Sequence, residues 1–353
     1  MKTGLTLSQL AAKIEGNKVL KQDFIADTAA ATMQVQDDKT IVLELPRPHS
    51  AIPNTFPILP LAHDQIGARL NIPGKYYDRM RAEAPDLLAT NVNAWFRKNP
   101  EKRMVRTLGG DVRAFLSNRY NRIENEEIAE VVLPILADIP DVKIISSEIT
   151  ERRMYIQALT PRVQGEVKKG DVVQAGVVIS NSETGHGAVS ISPLVYRLVC
   201  LNGMIANDGR LRANHVGGRI EETEALYQDD TRKADDRAIL LKVRDHVRNA
   251  VDALAFSQRI EAMAGLTERK ITGSPEAAIE VLAKKVNATD AERSGILRAL
   301  IEGGDLSAWG MLNAVTAQAH TAADYDRSIE FERMGGALLE LPATEWRRVL
   351  EAA

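Results

Sequence analysis

Val142-Lys-Ile-Ile-Ser-Ser-Glu-Ile149, Arg152-Arg-Met-Tyr-Ile-Gln-Ala-Leu159, Val172-Val-Gln-Ala-Gly-Val-Val-Ile-Ser180 and Ala188-Val-Ser-Ile-Ser-Pro-Leu-Val-Tyr-Arg-Leu-Val-Cys-Leu201 are four strand-like runs, rich in β-branched residues. They pair off in sequence. The first two flank Thr150-Glu151, and the last two flank Asn181-Ser-Glu-Thr-Gly-His-Gly187. Joints this short favour antiparallel hairpins, because a parallel neighbour needs a crossover of roughly a dozen residues or more. Just upstream, Asn125 heads a run in which Ile128, Val131, Val132 and Ile135 recur at helical spacing until Pro140. Hairpins grouped around one helix predict an α+β fold with a central antiparallel sheet, not a βαβ sheet.

Outward from this centre the chain divides into three. Residues 101–220 are the predicted sheet core, and Val112, Ala114 and Leu116 add a further strand to it. Residues 1–100 are a mixed region. Ser8 is placed to cap a first helix. Met33 to Val35 and Thr40 to Leu45 form a hairpin, Pro46 to Pro60 a proline-rich connector. Helices follow over Leu61 to Leu70, Tyr76 to Arg81 and Pro85 to Phe96. Residues 221–353 are helical. Leu240, Val243, Val247, Val251 and Leu254 make one stripe, Ser274-Pro275 opens a second helix, and Gly303-Gly304 and Gly335-Gly336 punctuate the rest.

Composition narrows the function classes. With 44% hydrophobic and 26% charged residues over 353 positions, the chain suits roughly two globular domains, or one core with a helical appendage, and excludes disorder. A net charge of -3 excludes a strongly basic DNA coat but leaves room for a local basic face. Cys200 is the single cysteine, which rules out an internal disulfide or a cysteine-rich zinc site and suits a reducing, cytoplasmic setting. Lying in Leu198-Val-Cys-Leu201, it reads as a small buried hydrophobe. No signal peptide and no membrane span are expected.

Chemical motifs are sparse. Gly165-Glu-Val-Lys-Lys-Gly170 has phosphate-loop glycine spacing, but Asp171 stands where lysine is needed. There is no HExxH, GxGxxG or GxSxG. No cofactor, metal or catalytic residue is expected. A dispersed enzyme site around His186, Glu183 and His215 ranks last, since no nucleophile–base pair can be read from spacing. The Asn181–Gly187 loop reads as a hairpin turn in preference to an anion-binding nest.

The most informative pattern is basic and aromatic. Arg113, Arg119 and Tyr120 fall in one segment with few acids, Arg153 and Tyr155 share a predicted strand face, and Arg210, Arg212 and Arg219 lie in or beside a glycine-containing loop. Arginine pairs with phosphate and tyrosine stacks on bases. This combination predicts a nonenzymatic binder of single-stranded nucleic acid, single-stranded DNA being the expected partner. Arginines on the wet side of an antiparallel sheet are the plainer alternative.

Arg113-Ala-Phe-Leu-Ser-Asn-Arg-Tyr120, Asn181 to Gly187 and Tyr196-Arg-Leu-Val-Cys-Leu-Asn-Gly-Met204 resemble the phage/plasmid-like protein family of unknown function, and Leu61 to Tyr77 and Trp309 to Thr316 are similar to its flanking segments. The resemblance implies a cytoplasmic role in replication, recombination or defence evasion of a mobile element. It supplies no catalytic residues. The order of elements is also compatible with single-strand annealing proteins, which implies strand annealing and a homo-oligomer. The alternative partner is a host defence factor inhibited by this protein, for which Glu221-Glu-Thr-Glu224 and Asp229-Asp230 offer an acidic patch.

Overall fold

The computed structural model describes residues 1–46, 54–207, 210–213 and 229–353. It is an α+β fold whose described sheets are antiparallel throughout. The first helix, α1 (Leu7–Leu20), is capped by Thr6 in a reciprocal box with Gln9, not by Ser8. Thr6 has the extended backbone that a cap needs, and its side chain accepts from the Gln9 N–H.

An N-terminal module follows. Strands β1 (Lys21–Asp27), β2 (Thr32–Val35), β3 (Ile41–Leu45) and β4 (Asn54–Pro57) lead into α2 (Pro60–Arg69), α3 (Gly74–Glu83) and α4 (Pro85–Lys98), then β5 (Lys102–Leu108) and β6 (Asp111–Ser117). The expected hairpin is β2–β3, extended by β4. Strand β5 lies between β1 and β6. Residues 102–117 therefore pair with the strands of this module and not with the main sheet. Leu43, Ile66, Leu88, Phe96, Val105 and Phe115 share its core.

The main sheet is six-stranded. Helix α5 (Asn125–Asp138) precedes β7 (Lys143–Ile149), β8 (Met154–Glu166), β9 (Val172–Asn181), β10 (Val189–Arg197), β11 (Asn202–Ile205) and β12 (Leu211–Ala213). Strand order is β11-β10-β9-β8-β7, with β12 beside β11 on the same edge of β10. The run ending at Leu201 does not stay a strand. It turns after Arg197, with Leu201 in the left-handed region at φ 53°, and returns as β11. The apolar turn is left outside the core: Val199 is 60% and Leu201 55% exposed, and Cys200 is exposed instead of buried.

Both faces of this sheet are covered. Met154, Ile156, Val177 and Ile179 pack with α1, α5 and α6 (Asp229–Asn249). The stripe from Leu240 breaks at the end of α6, leaving Leu254 exposed on the next helix. Six further helices follow, α7 (Ala253–Thr267), α8 (Pro275–Lys285), α9 (Asp290–Gly303), α10 (Ala308–Ala317), α11 (Tyr325–Leu339) and α12 (Ala343–Leu350), and α11 covers the opposite face. Val173, Ala175, Val195 and Met204 continue the face of Val177 and Ile179 toward the far end of the sheet and join the core of these helices, while on the opposite face Tyr155, Leu159 and Val178 meet Tyr325 and Ile329 of α11. The C-terminal helices thus share their core with the sheet.

Gly335 and Gly336 do not end a helix. They lie inside α11, where a Cβ on Gly336 would strike the Ile205 carbonyl and one on Gly335 the Thr316 methyl. The absence of side chains lets α11 lie against β11. At the other edge, the N-terminal segment seals β7. The Leu5 N–H donates to the Ser147 carbonyl at 2.6 Å, and the Ser147 hydroxyl donates back to the Leu5 carbonyl at 2.8 Å.

Candidate functional site

The β7–β8 turn, the β9–β10 loop and the approach to β12 meet at one end of the main sheet. The β9–β10 loop, Asn181 to Gly187, is more than a hairpin turn. Residues Asn181 to Thr184 are at most 4% exposed, and nearly every polar group is held. Ser182 Oγ donates to the Arg152 carbonyl and accepts from the His186 N–H. Thr184 Oγ1 donates to the Glu151 carbonyl, and the Gln65 amide donates to the Thr184 carbonyl. Arg153 donates to the His186 carbonyl, passing so close to Gly187 that a Cβ there would collide with the guanidinium. Gly187 also has φ 138°, which glycine tolerates best.

Glu183 is the electrostatic hub of this loop. Oε1 accepts from Lys21 Nζ at 2.5 Å and from the Asn125 N–H at 2.8 Å, and Oε2 accepts from Arg113 Nη1 at 2.7 Å. Burial alone would raise its carboxyl, but Arg113 and Lys21 overcome that and hold it at about 2. Arg106, 1% exposed, binds the Glu183 carbonyl, Asp23 and Glu124. Carboxylate oxygens of Glu124, Glu126 and Glu183 converge within 4.8 Å, the spacing of a cation site. Lys21 Nζ stands among them, at 3.1, 2.7 and 2.5 Å. Its ammonium supplies the positive charge that three carboxylates require. Glu183 is therefore a poor proton acceptor, and His186 Nδ1 lies 3.2 Å from the Thr184 carbonyl. An enzyme site built on these two groups gains no support, and His215 lies outside the described residues.

The eight residues expected to contact a strand separate. Arg113 is buried on Glu183. Tyr120 is 8% exposed and donates to the Ser182 carbonyl at 2.7 Å. Tyr155 is 2% exposed and donates to Asp326 Oδ1 at 2.7 Å. Arg113 and Tyr120 face the β9–β10 loop, and Tyr155 faces α11, which covers the strand face that alternation marks as wet. Gln157 on that face donates to Glu332 at 2.6 Å. Arg119 is exposed in the turn after β6, apart from the rest. Arg219 lies outside the described residues, as does the acidic Glu221–Glu224 stretch.

Arg153, Arg210 and Arg212 do come together, and the structure adds Arg333 of α11, which no strand pattern signals. Tyr155, Ser180, Ser190 and Arg212 form one cross-strand row over β8, β9, β10 and β12. Arg210 Nε donates to Ser190 Oγ at 3.2 Å, and Arg333 Nη2 to Ser180 Oγ at 3.4 Å. Among the described residues no carboxylate forms an ion pair with any of the four. Burial, then repulsion from Arg212 and Arg153, lowers the Arg210 guanidinium. Arg333 is lowered by burial and by Arg153 and Arg210, with Tyr155 and Glu330 opposing. Four guanidiniums are held together against their own repulsion.

A family model described as a domain of unknown function, DUF932, matches residues 114–333, more than half of the chain. The chain belongs to the DUF932 family. No curated protein and no solved structure matches it. The DUF932 region contains the main sheet, helices α6 to α10, the first part of α11 and all four clustered arginines. Most of the N-terminal module lies before it.

Proposed function

We propose that this DUF932 protein binds single-stranded nucleic acid through its phosphates at the Arg153–Arg210–Arg212–Arg333 end of the main sheet. The observation that carries the reading is the grouping of four arginines, Arg153 and Arg210 just before β8 and β12, Arg212 on β12 and Arg333 on α11, with no ion-paired carboxylate among the described residues. Elsewhere the chain neutralises its interior cations carefully, as Lys21, Arg106 and Arg113 illustrate. An uncompensated group is costly unless an anion shares it. Phosphate suits guanidinium forks, and a chain of phosphates suits several in a row. The resemblance to phage/plasmid-like proteins supports a cytoplasmic role in replication or recombination of a mobile element.

The test is fluorescence anisotropy of labelled single-stranded DNA over a salt series. Arg210→Ala plus Arg212→Ala should weaken binding and flatten the slope of log K against log salt by about 0.7 per lost phosphate contact. Equal affinity and equal slope in the double variant would overturn the assignment.

A second reading, docking of a host protein, is favoured by the exposed Leu198–Leu201 turn. Nuclease-resistant recovery of one host protein, lost in Val199→Ser plus Leu201→Ser, would support it.

A further inference from the structure

Arg113 has a donor edge that the fold leaves unused. Its side chain is 9% exposed, and Nη1 is committed to Glu183. Nε and Nη2 are buried without a hydrogen-bonding partner. These two N–H groups form the side of the guanidinium that grips an oxyanion with two parallel bonds. Buried donors are nearly always satisfied, and an unmet pair is a reason to look for what meets it. Glu183 does not, because its oxygens already accept from Lys21, Asn125 and Nη1.

A cavity of about 70 Å³ adjoins Arg113, walled also by Arg152, Arg153, Glu151 and Glu183. Three guanidiniums border it. Of the two carboxylates, Glu183 is neutralised by Lys21 and Arg113. With Arg113 paired to Glu183, Arg152 and Arg153 against Glu151 leave one net positive charge in the wall, so the balance favours an anion. Arg153 belongs both to this wall and to the arginine cluster, so the two adjoin.

We propose that the cavity receives a phosphate monoester, the terminal phosphate of a nucleic-acid strand, gripped by the Nε–Nη2 edge of Arg113. The rest of the strand then continues over Arg153 to Arg210 and Arg212. This rests on the strand-binding reading for the identity of the ligand, but not for the chemistry of the cavity.

Two arms separate the two readings. In the first, full-length protein is titrated with inorganic phosphate, with acetate as control, and its melting temperature is followed. Phosphate should raise it, and acetate should not. Arg113→Lys keeps a cation for Glu183 but lacks the second donor edge, and should abolish the shift. Asn17→Phe, at the cavity wall on α1, should abolish it by filling the space. No phosphate shift in the wild type, or an equal shift with acetate, would overturn the cavity's assignment. In the second arm, matched single strands ending in 5′-phosphate, 3′-phosphate or hydroxyl are compared by anisotropy. One phosphorylated end should bind at least tenfold more tightly than the hydroxyl-ended strand. Both variants should erase that preference and leave hydroxyl-ended binding unchanged. Equal binding of all three strands would overturn terminal recognition. Failure of every strand to bind, with the phosphate shift intact, would overturn the strand reading and keep the cavity.

Discussion

Glu332 shows most sharply what a single residue contributes. Its carboxyl is 0% exposed between the sheet and α11, with Oε2 accepting from Gln157 and Oε1 unpartnered. Burial pushes it up to about 7, against the opposing pull of the Met1 ammonium, Gln157 and Arg333. The unfolded carboxyl titrates near 4.5. Between those values the folded state binds the extra proton, so stability falls as pH rises from about 4.5 through 7 and then levels off. The loss amounts to roughly 3 kcal/mol at about 1.4 kcal/mol per unit. Glu332→Gln keeps the shape without the charge. Chemical denaturation at pH 5 and pH 8 should show the variant gaining on the wild type only at pH 8. An equal difference at both would refute the ionisation argument. The same residue scale explains what the sequence did and did not disclose about the site. Arg210 and Arg212 stood out in the sequence because arginines with few acids nearby are a one-dimensional signal, and Arg153 because strand alternation put it on one face with Tyr155. The burial of Arg113, Tyr120 and Tyr155 was not, since alternation says that two faces differ and not which is roofed. Arg333 was invisible for the same reason: its neighbours across the sheet are about 150 residues away in sequence.

Elements obey local rules until another element comes close. The strand runs, the β2–β3 hairpin and most helices follow from periodicity and turn residues. The exceptions mark tertiary contacts. Gly335-Gly336 looks like a helix stop, yet sits mid-helix because α11 presses on β11 at that point. Ordinarily, Gly→Ala inside a helix stabilises by about 0.5–1 kcal/mol. Gly265, exposed in α7 with open space around its Cα, should behave so. Gly336→Ala should do the reverse, losing about 1–3 kcal/mol or more as the Ile205 carbonyl is pushed away. Melting temperatures of the two variants decide this, and a gain in both would mean that α11 has slack against the sheet. The β10–β11 turn is the converse case. Its apolar residues read as strand interior because hydrophobicity carries no mark of exposure, and the left-handed Leu201 that reverses the chain has no glycine to announce it.

Across the whole molecule, one sheet with both faces roofed leaves only its ends and edges open to partners. That makes the edges consequential. Along β7 the backbone is met by Leu5, whose N–H and carbonyl both bond Ser147. Lys2 adds a bond from the Ser146 hydroxyl to its carbonyl at 3.1 Å. Deleting residues 1–6 should bare this strand. Unpaired strand edges recruit other strands, so the shortened protein should sediment as larger species while the full chain does not, and a monomeric profile for both would show that the edge is closed by other means. The pairing of Leu5 with Ser147 then works as a stopper on polymer growth. Whatever pulls the first six residues away, a fused tag or a bound partner, would turn a closed particle into the seed of a fibre-like stack.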